Sequence, residues 1–135
     1  MFLSINSSDG LAIYDQIVRQ IKFAVAGGLL KTGDLVPSVR ELARELAINP
    51  NTVARAYREL QTDRVLDAVR GTGLEVATGA AERCRSERVK LIRTRLRQVL
   101  AEAHQSRLDM GDLRTLVDKE LATLEREGKN NHGQP

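Results

Sequence analysis

Asn51, Thr52 and Arg55 stand close together near the start of a helical pattern, and each carries a different hydrogen-bonding group. A carboxamide can meet adenine through two bonds, and a guanidinium can meet guanine through two parallel N–H groups. A threonine can donate to a phosphate or touch a thymine methyl. Such groups at the beginning of a recognition helix point at base edges in a major groove. Arg40 falls in the first turn of the preceding helical segment, within reach of the backbone or of a base beside that groove. Arg70 lies in a glycine-rich turn and suits a wing that touches phosphate or the minor groove. Ser38 and Asn49 are expected helix caps, whose positive helix ends also attract phosphate.

Other chemistries lack their constellations. Cys84 has no partner cysteine, and His104 and His132 lack the Cys, Asp or Glu spacing of a metal site. No Ser-His-Asp or Cys-His set can be assembled. Gly71-Thr72-Gly73 is not a dinucleotide fingerprint, because Val76 occupies the third glycine position and no long helix opens there. The expectation is a protein that is not an enzyme, with no cofactor and no metal.

The elements that must position these groups follow from apolar spacing. The 135 residues suffice for one small domain with an appendage, and with only Phe2, Tyr14, Phe23 and Tyr57 aromatic the core must be aliphatic. From Leu11 to Gly28, Ile13, Ile17, Ile21 and Val25 recur every four positions, with Val18 and Ala24 beside them. This is one face of a helix, ended by Gly27-Gly28. Asp15, Gln16, Arg19, Gln20 and Lys22 form its polar face. A loop, Lys31 to Asp34, leads through Pro37 to a capping box at Ser38-Val39-Arg40-Glu41. The short helix it opens buries Val39, Leu42, Ala43 and Leu46. Asn49-Pro50 then gives a second start signal, an N-cap followed by proline at the first helical position. That helix, to about Gln61, buries Val53, Ala56, Tyr57 and Leu60 and shows Asn51, Thr52, Arg55, Arg58 and Glu59. With Ala43 and Ala47 at the crossing, the pair reads as a helix-turn-helix. Val65–Val69 and Leu74–Val76, joined through Arg70-Gly71-Thr72-Gly73, read as a β-hairpin.

Beyond Gly79 the composition shifts. Residues 82–105 lack Gly and Pro and place Val89, Ile92, Leu96, Val99 and Ala103 at helical intervals. After a turn at Ser106–Gly111, with Asp109 as N-cap, Leu113, Leu116, Val117, Leu121 and Leu124 repeat the spacing. Two helices cannot enclose both apolar stripes by themselves. A symmetric dimer, seamed by these residues, is the economical partner and would present two recognition helices to a two-fold DNA site. The basic run Arg83, Arg85, Arg88, Lys90, Arg93, Arg95 and Arg97 surrounds its helix, as a solvated face beside such a seam would. The expected organisation is mainly α with one small β-hairpin. Residues 1–79 form a winged helix-turn-helix, 80–127 a two-helix dimerisation region, and 128–135 a disordered tail.

Charge is a weak guide. The net +3 resides wholly in residues 80–135, since residues 1–79 carry nine basic and nine acidic side chains. No apolar stretch approaches the ~20 residues of a membrane span. The N-terminus lacks the basic region of a secretory signal, and a lone cysteine fits a reducing cytoplasm.

Three separated segments resemble the GntR family of bacterial transcriptional regulators. They are Ile13-Tyr14-Asp15-Gln16-Ile17, then Gly33 through Ala43, then Asn49 through Leu60, and the likeness continues into the wing at Gly71 and Gly73. The Asn-Pro-Asn-Thr start and the short two-helix C-terminal region resemble the YtrA-like subfamily. The resemblance implies a homodimeric repressor on a palindromic operator, using Arg40, the helix start Asn49, Pro50, Asn51 and Thr52, and the wing glycine Gly71. Several members have a basic residue where this chain has Ala54. Asp63-Arg64 and Ala47 replace a glycine-containing pair and a glycine usual in the family. With about 56 residues after Gly79, there is no room for the larger effector domains of other members. A small-molecule effector, of unknown identity, has space only at the dimer seam. The alternative function is a winged-helix module that binds another protein without specific DNA binding.

Overall fold

The computed structural model describes residues 3–6, 10–71 and 73–132. In chain order the elements are α1 (Ile13–Ala26), α2 (Val39–Leu46), α3 (Pro50–Thr62), β1 (Leu66–Val69), β2 (Gly73–Val76), α4 (Ala80–Gln105) and α5 (Met110–His132). The chain divides into two compact units, one up to Leu91 and the other from Ile92 onward. The boundary therefore falls within α4, twelve residues beyond the compositional break at Gly79. Its cause is the start of α4, where Ala80 and Cys84 are buried with the first unit's core.

That core is aliphatic. Ile17, Ile21 and Val25 of α1, Leu42 of α2, Val53 and Leu60 of α3, and Leu66 and Val76 of the hairpin are all essentially inaccessible. Ile13, the first residue of α1, falls outside this set and is more than one-third exposed. Gln16 is the reverse case: the four-residue apolar spacing puts it on the polar face, yet it is 3% exposed. Its carboxamide is fully used. Oε1 accepts from the Asn6 amide at 2.8 Å, and Nε2 donates to the carbonyls of Asn6 at 2.8 Å and Leu11 at 3.1 Å. Gln16 thus ties the segment before α1 to the helix, and burial costs little because its polar atoms are paired.

Four helices end in the same way. After α1, α2, α3 and α4, the residue following the last turn is left-handed, with φ of +81° at Gly28, +55° at Ala47, +60° at Arg64 and +63° at Arg107. In each, the next amide donates to the carbonyl five residues back: Leu29 to Ala24, Ile48 to Ala43, Val65 to Leu60 and Leu108 to Ala103. This is the Schellman closure, usually made by glycine. Ala47 is consequently an exposed cap and not a small residue at a helix crossing. At Arg64 the arginine itself adopts the left-handed conformation that favours glycine. Each non-glycine residue there carries roughly 1 kcal/mol of backbone strain.

The hairpin is antiparallel, pairing Leu66 with Val76, Asp67 with Glu75, Ala68 with Leu74 and Val69 with Gly73. A third extended segment joins its free edge. Leu35 bridges to Glu75, and the Gly33, Val36 and Val76 amides donate to Val76, Leu74 and Asp34 respectively, at 2.9–3.0 Å. The loop before α2 is therefore part of the wing's sheet.

In the second unit, Asp109 caps α5 as expected, accepting from the Asp112 amide at 3.1 Å. The helix runs on to His132, where the sequence suggested a disordered tail from Gly128. One glycine inside a helix costs only about 1 kcal/mol, and Lys129 suits the negative end of the helix dipole. Residues 133–135 lie outside the described set. Among the residues of α5 whose burial is described none is buried, and α4 buries only Ala80 and Cys84.

Candidate nucleic-acid interface

The start of α3 is built by its own sequence. Asn49 is extended, its side chain accepts from the Asn51 amide at 2.8 Å, and its carbonyl accepts from the Thr52 amide at 3.0 Å. Pro50, which has no amide hydrogen, fills the first helical position. The amides of Asn51 and Thr52 are thus already engaged. What this helix end offers an anion is its dipole and its side chains, and the capped amides counted at the sequence level are not free for phosphate. Asn49, Pro50, Asn51 and Arg55 are exposed, while Thr52 is half-buried. Arg55 does not extend freely into solvent: its guanidinium lies over the Tyr14 ring, 3.7 Å from the centroid.

Helix α2 starts similarly. Ser38 Oγ accepts from the Glu41 amide at 3.1 Å, and Arg40 stands exposed in the first turn. Two bonds fix this start against the rest of the unit. The Tyr57 hydroxyl donates to the Pro37 carbonyl at 2.7 Å, so α3 holds the residue before the cap. The Val36 amide donates to Leu74 in the wing. Ser38, Val39 and Tyr57 accordingly line one hollow with Gly73 and Leu74. Burial, with the charges of Glu41 and Glu45, pushes the Tyr57 phenol far above its ordinary value, so it remains a donor at any physiological pH. The tie between Tyr57 and Pro37, twenty residues apart, had no signal in the sequence beyond an aromatic in a buried stripe.

Arg70 and Gly71 form the exposed hairpin turn. Gly71 has φ +82° with open space around it, so its requirement is conformational: a side chain there would be strained without meeting any neighbour.

Behind these groups, charged side chains fasten the first unit together. Lys22 Nζ lies 2.8 Å from both Asp63 and Glu87, joining α1, the turn after α3, and α4. Burial alone would lower its pKa, but hydrogen bonds and charge from Asp63 and Glu87 outweigh burial and raise it. Arg83 donates to the carbonyls of Arg64 and Thr78, clasping the turn after α3 and the end of the hairpin to α4. Burial pushes the Cys84 thiol up, with Glu87 adding to it, which suits an inert core residue. Among the described residues no group of His, Cys, Asp and Glu could hold a metal ion, and no helix is long and apolar enough to cross a membrane.

The nine apolar residues assigned to a seam are left without cover. Val89, Ile92, Leu96, Val99, Leu116, Val117, Leu121 and Leu124 are each more than one-third exposed, and Leu113 is half-buried. Within the second unit, Leu96, Leu113 and Val117 line an open cleft together with Arg93, Arg97 and Arg114.

Comparison with known proteins identifies the family and the fold. Residues 13–76 match the family described as bacterial regulatory proteins, gntR family. The HTH-type transcriptional repressor YtrA of Bacillus subtilis is 33% identical over 129 residues, which span 96% of this chain and 98% of that protein. A GntR family transcriptional regulator from Listeria monocytogenes superposes with a TM-score of 0.69 at 31% identity, covering 83% of this chain and 97% of the other. A YtrA from Sulfolobus acidocaldarius, a GntR-family transcription factor, gives 0.56 at 31% identity, covering 75% and 99%.

Proposed function

Because this chain belongs to the gntR family of bacterial regulatory proteins, we propose that it acts as a cytoplasmic, homodimeric repressor on a two-fold symmetric operator. It is a transcriptional regulator with a winged-helix DNA-binding domain and a C-terminal helical region. In the proposed division of labour, Asn51, Thr52 and Arg55 face bases. Arg40, Asn49 and Pro50 set the approach of the two helix ends, with Ser38 holding the first of them. Arg70 and Gly71 place the wing on the phosphate backbone. Residues from Val89 to Leu124 form the seam with a second copy, whose apolar side chains would fill the cleft of the second unit. The reading includes no catalytic step. A small-molecule effector would act at the seam.

The observation that carries the proposal is the pattern of exposure on α3. Val53, Ala56, Tyr57 and Leu60 are buried, while Asn51 and Arg55 stay in solvent beside a capped, positive helix end. Support for the dimer comes from the uncovered apolar residues of α4 and α5, since monomers rarely leave large contiguous apolar patches in water.

The test is binding of the purified protein to the DNA upstream of its own gene, across salt and against competitor, with stoichiometry from sedimentation. Two protomers per site and a loss of roughly 10³–10⁵ in affinity between about 50 and 200 mM salt are expected for about 6–10 phosphate contacts. If neither this DNA nor a selection from random duplexes yields competitor-resistant binding, the repressor reading falls and the winged helix serves a protein partner.

A further inference from the structure

Arg55 and Tyr14 come from different helices, forty-one residues apart, and meet with the guanidinium carbon over the ring. Tyr14 sits in the first turn of α1, half-buried and packed against the core. Its ring is therefore held by the body of the unit. Arg55 is exposed on α3, one turn beyond Asn51, with its guanidinium carbon 3.7 Å from the ring centroid. Among the described residues no carboxylate lies within ion-pairing distance of it.

We propose that Tyr14 is a positioning residue that sets sequence specificity by seating Arg55 for a base edge, an inference that rests on the DNA-binding reading above. The physical case has three parts. A stacked guanidinium presents its face to the ring, and its N–H donors lie in its own plane, so the ring contact consumes none of them. A carboxylate partner would have consumed two. An unrestrained arginine also loses substantial rotamer freedom when it binds a base, and a fixed ring removes part of that loss beforehand. Finally, of the two arginines of α3, Arg55 and Arg58, Arg55 lies closer along the helix to Asn51 and Thr52. Tyr14 itself need not touch DNA. Its contribution is the direction in which Arg55 points.

The experiment uses the full chain. A preferred duplex is selected from random sequence by the wild type, and binding is then measured to that duplex and to every single-base-pair variant of it. Arg55→Gln should abolish discrimination at one base pair per half-site. Tyr14→Leu should reduce discrimination at that same pair by about 3- to 10-fold, with the other positions unchanged, and Tyr14→Phe should restore it because the ring is kept. Thermal unfolding of each variant checks that the fold persists. If Tyr14→Leu weakens all duplexes equally, or lowers only thermal stability, the contact is a clip between α1 and α3 and the proposal is overturned. The same holds if Tyr14→Phe behaves like Tyr14→Leu. If Arg55→Gln leaves every preference intact while the wild type still selects a site, the positioning role fails and the DNA-binding reading stands. If the wild type selects nothing, both fail.

Discussion

Helices α3 and α5 carry similar apolar stripes at similar spacing and meet opposite environments. Val53, Ala56, Tyr57 and Leu60 of α3 are buried within one chain, whereas Leu116, Val117, Leu121 and Leu124 of α5 lie open. The first has α1, α2 and a hairpin around it. The second unit contains only the end of α4 and α5, and two helices have no third surface to close over them. An amphipathic stripe therefore states that a face needs cover, and says nothing about whether the cover is in the same chain. In the first unit burial supplies rigidity, which holds Asn51, Arg40 and Gly71 in place. In the second, the uncovered stripes are what the proposed seam with another copy would cover.

The largest expected effect separates the two units by core deletion. Leu60→Ala should destabilise the first unit by about 2–5 kcal/mol, seen as a lower midpoint in thermal or urea unfolding, because Leu60 is fully buried. Leu121→Ala should leave the monomer's stability within about 0.5 kcal/mol, as for a surface change. Equal losses in dilute monomer would break the comparison.

Next in size is a charge in the seam. Leu121→Asp should weaken self-association at least ~100-fold by sedimentation, since one unpaired buried carboxylate per protomer costs several kcal/mol. Arg40→Ala should instead weaken specific DNA binding by about 1–3 kcal/mol with the dimer intact. If Arg40→Ala also dissociates the dimer, the two units are not divided in labour as proposed.

The Lys22 clasp gives a smaller, pH-dependent effect. Lys22→Met should cost about 1 kcal/mol at neutral pH, because one of its two partners is half-exposed. The folded pKa is raised above the ordinary 10.5, so the ammonium's contribution is fully present below that value. It is lost as pH rises through the folded pKa. Wild type and variant should therefore begin to converge in stability as pH rises past about 10.5 and meet only above the folded pKa, and a difference that persists beyond it would point to packing of the lysine stem.

The smallest effect is a gain. Ala47→Gly should stabilise the first unit by about 0.5–1 kcal/mol by relieving the left-handed cap, offset in part by the entropy of glycine in the unfolded chain. A loss on this substitution would mean that the alanine is not strained at +55°.

Much of the DNA-facing machinery was legible because it is local. The caps at Ser38 and Asn49, the proline start of α3, and the buried stripes of α2 and α3 depend on residues within four positions of one another. The hairpin followed from its turn glycines. Burial of Gln16 was illegible because its partners, Asn6 and Leu11, lie outside the helix whose period placed it in solvent. The left-handed caps at Ala47, Arg64 and Arg107 were hidden for a different reason. Helix ends signal themselves through glycine, and here three of four use other residues.

What the sequence by itself determined is therefore the set of helices, their caps, the hairpin, the family likeness and the group of side chains suited to base and phosphate contact. Only the tertiary structure decided that α4 begins inside the first unit's core, that residues 33–36 extend the wing, and that Arg55 rests on Tyr14. The physical reason is range: capping and amphipathic period act over one or two helical turns. A ring that holds a guanidinium from forty-one residues away exists only after the core has brought α1 against α3.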